Sequence, residues 1–168
     1  KLAERGITPL LFKGTAIAYS LYDNPVWRER GDTDIIVAPD DVEACREILS
    51  SQLFKRETTI PGEFVSCQES WTFHGPEGAS HSIDLHRRIS NSELLAQLFS
   101  YQELRASARP LPSLCQHAIS VGLAHAFLLA SIHRQVHKRS PYTVDGIPRY
   151  GGDRLIWLYD LHLLAQSM

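Results

Sequence analysis

The chain has 168 residues, 43% hydrophobic and 21% charged, with a formal net charge of −2. That is enough for one globular core. It leaves no basic footprint for double-stranded nucleic acid, and no apolar run approaches the roughly 18 residues of a membrane helix. Cys45, Cys67 and Cys115 lie far apart with no C-x-x-C pair. Neither a disulfide framework nor a cysteine zinc site is therefore expected. With no secretory leader visible, a reducing cytoplasm is the simplest compartment.

KLAERG reads as the last turn of a helix stopped by Gly6. ITPLLF (7–12) is an apolar run suited to a buried strand, and TAIAYSLY (15–22) has helical apolar spacing. DNPVWRERG (23–31) is a loop with Asn24-Pro25 and two arginines. DTDIIVA follows as a strand, and Pro39-Asp40 opens a helix, PDDVEACREILSSQ, with acids in its first turn. FKRETT and EFVSCQESWTFH are predicted strands separated by Pro61-Gly62. GPEGAS (75–80) forms a hairpin connection into HSIDLHRRI (81–89), whose Ile83, Leu85 and Arg87 alternate with Asp84, His86 and Arg88.

The second half is predicted helical. SELLAQLFSYQEL reads as one helix, and PSLCQHAISVGLAHAFLLASIHRQVHK as another, running from just after Pro112 to Lys138. SPYTVDGIPRYGG reads as a link, and DRLIWLYDLHLLAQ as a final amphipathic helix. The expected class is α+β: a small mixed sheet flanked by helices, residues 1–90, with a helical part, residues 91–168, packed on it.

Asp32 and Asp34 raise the functional question. At i and i+2 of a strand they share a face, with Cα atoms about 7 Å apart. Carboxylates at that spacing can converge on a hard divalent cation. Asp84, on the polar face of another strand, is the natural third member. Taken alone, D-x-D also reads as a turn and a strand entry. Lys13-Gly14-Thr15 lies at a strand-to-helix junction, where glycine permits close approach and a helix N-terminus offers N–H groups to phosphate. A tight turn with Thr15 as the helix cap is the plainer alternative. No Walker P-loop is present.

The order apolar strand, KGTA, helix, arginine-bearing loop, GDTDIIV, helix, strands and SIDLH resembles the polymerase-beta-like nucleotidyltransferase superfamily. More closely, LLFKGTAIAYSLY, RGDTDIIV, IDLHRRI and RLIWLYDLHLL are similar to a branch of uncharacterised bacterial nucleotidyltransferases. The resemblance implies that Gly14 and Thr15 hold the phosphates of a nucleoside triphosphate. It also implies that Asp32, Asp34 and Asp84 bind two Mg²⁺ or Mn²⁺ ions and carry out transfer of a nucleoside monophosphate. The acceptor would be a hydroxyl on a small molecule, a protein or RNA. Thr15 keeps the hydroxyl where serine is usual; Phe12 interrupts the branch's LLKG, and Arg87 replaces its tryptophan. Neither change removes a catalytic group.

Around the carboxylates, Lys13, Arg28 and Arg30 are candidate triphosphate ligands, though surface arginines are as often simply solvated. His86, two residues past Asp84, would orient Asp84, act on substrate, or serve only the core. His133 and His137, at helical i and i+4, have zinc-pair spacing but lack the H-E-x-x-H glutamate, and a solvated face accounts for them better. Asp160 reads as an ordinary buried pair. Two rival functions share these residues: a non-catalytic nucleotide-binding or interaction module, and a metal-dependent phosphohydrolase.

Overall fold

The structure is a computed structural model that describes residues 1–57, 67–138, 141–144, 147–150 and 153–168. The end of FKRETT (residues 58–59), Pro61-Gly62 and the EFVS that opens EFVSCQESWTFH (residues 63–66) lie outside the described residues. The chain divides into two compact units, Lys1–Gly122 and Leu123–Met168.

The first unit is built on a seven-stranded mixed sheet. Its strands are β1 (Leu10–Phe12), β2 (Asp32–Ile36), β3 (Lys55–Arg56), β4 (Gln68–His74), β5 (Ser80–His86), β6 (Arg109–Pro110) and β7 (Ile119–Ser120). They lie in the order β3-β4-β5-β2-β1-β7-β6. β2 and β5 run parallel at the centre, with β1 antiparallel to β2 and β4 antiparallel to β5. Helices α1 (Lys13–Leu21) and α2 (Val42–Ser51) follow β1 and β2, and two short helices, α3 (Glu93–Ala96) and α4 (Tyr101–Ala106), come later.

Strand alternation sends Leu11, Ile35, Val37, Trp71 and Leu85 to one face. There they form a buried cluster with Ala16 of α1 and Val42, Cys45, Ile48 and Leu49 of α2. Burial of such side chains, about 1.5–3 kcal/mol each, fixes the register, because a one-residue slip would turn them all outward. Glu69 on this face is buried against α2. Arg46 grips it through Nε, 3.1 and 3.2 Å from the two carboxylate oxygens, and through Nη2; Arg56 Nε lies 3.4 Å away. Asp32, Asp34, Asp84 and His86 fall on the opposite face.

The α+β expectation holds, with three local differences. SELLAQLFSYQEL is two helices, because Ser100 starts α4 with a capping box in which its hydroxyl accepts from the Glu103 N–H. The helix expected from Pro112 begins only at Leu123. Residues 112–118 are turns, and Ile119–Ser120 joins the sheet parallel to β1, with Val121 N–H donating to the Leu11 carbonyl. The predicted link after Lys138 holds an antiparallel hairpin, β8 (Pro141–Val144) and β9 (Ile147–Tyr150).

That hairpin lies in the second unit between α5 (Leu123–His137) and α6 (Leu155–Ser167). Arg134 donates to both oxygens of Asp153 at 2.7 and 2.6 Å. No described helix is long and apolar enough to cross a membrane.

Candidate functional site

The site forms where the polar ends of three strands meet the start of a helix. In the parallel register Asp34 stands directly opposite Asp84, and Phe12 of β1 lies on the other side of Asp34. One residue further on, Lys13 opens α1. The local sequence explains the placement: Ile35, Ile36 and Val37 anchor β2 in the core, so the acids before them sit at its entry.

Asp34 is 4% exposed and Asp84 8%, so each needs partners. Asp34 Oδ1 accepts two bonds, from Lys13 Nζ at 2.6 Å and His86 Nε2 at 2.9 Å. Asp84 accepts from Ser70 Oγ at 2.6 Å and Gln68 Nε2 at 3.1 Å, both on β4. Two neutral donors orient the Asp84 carboxylate and leave it further lone pairs.

Electrostatics separate the three acids. Burial would raise the Asp34 carboxyl, but the His86 hydrogen bond and the Lys13 charge outweigh it and hold the group below its ordinary value. Asp32 keeps solvent access at the strand's start, yet partial burial of its carboxyl, then the charges of Asp34 and Asp84, push it up to about 6. Burial lowers His86 against the pull of Asp34. A neutral imidazole carrying its proton on Nε2 and donating to an ionised Asp34 satisfies both directions.

Among the described residues, the one set of His, Cys or carboxylate ligand atoms close enough to share an ion is Asp34, Asp84 and His86, all within 4.8 Å of one another. Two aligned carboxylates with Asp32 at the mouth fit a hard divalent cation, which takes one or two carboxylates plus substrate oxygens. His86, 1% exposed with its ring against Phe12, sits behind them. Of the partners expected for it, Asp84 is not the one; it bonds Asp34.

Thr15 does not cap α1; its hydroxyl donates to the Asp32 carbonyl at 3.2 Å and meets the Thr33 hydroxyl at 3.2 Å, tying the helix start to β2. Arg28 is buried, and its guanidinium comes to 3.6 Å from the position a Gly14 Cβ would take. Arg30 donates to the Pro25 and Arg28 carbonyls, each at 3.1 Å, and lies 5.2 Å over the Tyr19 ring. Both arginines thus brace the loop against the Gly14 turn. In the second unit, the rings of His133 and His137 are 4.3 Å apart, with Trp157 edge-on to His133 at 5.5 Å.

Gln68 and Ser70 escaped the sequence reading. The available signal was their alternation with the core-facing Glu69 and Trp71, which marks them as the polar face of a strand beside β5.

A family model described as uncharacterised nucleotidyltransferase matches residues 1–168. The chain belongs to this family. The match spans both units and contains every residue of the site. No curated protein matches the chain. Among solved structures, it is similar to a chain in the crystal structure of the complex between the type VI effector Tas1 and its immunity protein. That likeness has 15% identity over 99% of this chain and 85% of that one, with a TM-score of 0.33.

Proposed function

We propose that this nucleotidyltransferase is a divalent-metal-dependent enzyme of the polymerase-beta-like kind. It would transfer a nucleoside monophosphate from a nucleoside triphosphate to a hydroxyl. The observation that supports this most is Asp34 aligned with Asp84 on adjacent parallel strands, beside the first residues of α1. Asp34 and Asp84 would hold the ion, with Asp32 joining at the mouth and a second ion entering with the nucleotide. Bound Mg²⁺ or Mn²⁺ would neutralise charge on the transferring phosphoryl group.

The chain's own residues would do the positioning. Gly14 and the free N–H groups at the start of α1 receive the phosphates. Thr15 fixes that turn against β2, and Lys13, Arg28 and Arg30 supply positive charge around it. His86, too buried to touch a nucleotide, orients Asp34 as a positioning residue. Ser70 and Gln68 do the same for Asp84. The acceptor oxygen attacks the α-phosphorus in line, the α–β bridging bond breaks, and pyrophosphate leaves. An aspartate of the cleft takes the hydroxyl proton.

Thermal melts with each nucleoside triphosphate, with and without Mg²⁺ or Mn²⁺, test the reading. A metal-dependent rise of the midpoint that is absent in Asp34→Asn/Asp84→Asn is expected. No rise with any triphosphate for the folded wild type would overturn it.

A further inference from the structure

Lys13 carries features that a simple phosphate ligand would not need. Its backbone has φ 56°, the left-handed region that favours glycine and is strained for a long side chain. Its ammonium is 2.6 Å from Asp34 Oδ1, the same oxygen that accepts from His86. Nζ also lies 4.9 Å from the Phe12 ring centroid. The Lys13 side chain is 20% exposed and that of Asp34 5%.

A carboxylate this buried is costly without a counter-ion, and here the counter-ion comes from the residue next to Gly14. We infer that Lys13 is the resident cation of Asp34 and exchanges onto the triphosphate when a divalent ion enters, which couples metal and nucleotide binding. This rests on the metal-centre reading above. Two cations competing for one carboxylate repel each other, so an entering ion must dislodge the ammonium. A lysine suits the exchange: it is a compact charge on a flexible stem, without the fixed two-pronged geometry of arginine. Once dislodged it needs a new anion, and phosphates held at the start of α1 would lie within reach of a residue in that same turn. By linkage, each ligand then strengthens the other.

The competing account, a static ion pair that only stabilises the fold, makes the opposite prediction for metal affinity. Mn²⁺ binding to the purified chain, read from the electron paramagnetic resonance signal of free Mn²⁺, separates the two. Wild type, Lys13→Met and Lys13→Gln are titrated at pH 8 with and without a non-hydrolysable triphosphate. Far-ultraviolet circular dichroism confirms folding, and Lys13→Gln is read if Lys13→Met is not folded. Without nucleotide, the variant is expected to bind Mn²⁺ at least tenfold more tightly than wild type. The nucleotide should tighten Mn²⁺ binding to wild type at least tenfold and to the variant much less. A variant that binds Mn²⁺ equally or more weakly, while wild type binds it, overturns the exchange and leaves the metal centre standing. If neither protein binds Mn²⁺ even with the triphosphate, the metal-centre reading falls, and the inference with it.

Discussion

Replacing Asp32 with Asn should stabilise the metal-free protein at neutral pH, although Asp32 belongs to the proposed centre. The raised carboxyl means that the native state holds this proton more tightly than the unfolded chain. Asp32 therefore costs no stability below the ordinary value of 3.8, and stability falls as pH rises from there through about 6. At 1.36 kcal/mol per pH unit the full rise would be worth ~3 kcal/mol. Asp32 is exposed at the start of β2, so solvent screening reduces this to about 1 kcal/mol, or roughly 3 °C in a domain of this size. Differential scanning calorimetry in EDTA, of wild type and Asp32→Asn at pH 8 and pH 4, checks it. The variant should melt higher at pH 8, and the gap should close at pH 4, where Asp32 is protonated. Saturating Mn²⁺ with a triphosphate should reverse the order. A variant that melts lower than wild type at pH 8 in EDTA would instead make Asp32 a structural turn residue.

Two further predictions concern the frame around the site. Arg46→Ala takes from buried Glu69 its closest cation, leaving Arg56 at 3.4 Å, and denaturant unfolding at pH 7 should show a loss of about 3 kcal/mol. Burial would raise Glu69, but Arg46 and Arg56 hold it below 4.5. The penalty should therefore be full above pH 4.5 and shrink as pH falls below it; a loss under ~0.5 kcal/mol at pH 7 would contradict the geometry. At Gly122 an added Cβ would lie 2.6 Å from the Ser107 carbonyl oxygen. Gly122→Ala should cost about 2 kcal/mol through forced backbone movement, seen as a lower melting temperature, whereas an unchanged one would contradict a tight approach of the two backbones.

The two central strands were legible because both obey the period of two: Ile35 and Val37 point into the core from β2, and Leu85 from β5, so Asp34 just before Ile35 and Asp84 just before Leu85 had to take the other face. The pairing of Asp34 with Asp84 needed only that these strands be neighbours. The His86 partner was not legible. Residues i and i+2 on one strand are about 7 Å apart, whereas the neighbouring parallel strand brings Asp34 within hydrogen-bonding distance, and no local pattern reveals which strand is adjacent. The helix expected from Pro112 failed for a similar reason. QHAISVG has acceptable helical spacing, but pairing of Ile119–Ser120 with β1, over a hundred residues earlier, overrides it. Ser100 and Glu103 did carry a readable local signal, the S-x-x-E box, that splits α3 from α4.

In the proposed centre, Asp34 and Asp84 jointly hold a divalent ion against a nucleotide. Anomalous diffraction from crystals grown with Mn²⁺ and a non-hydrolysable triphosphate tests this most directly. A manganese peak is expected between the two carboxylates, with the phosphates at the start of α1 and the Lys13 ammonium turned from Asp34 toward them. Bound nucleotide with no manganese at those carboxylates, and Lys13 still paired to Asp34, would contradict it.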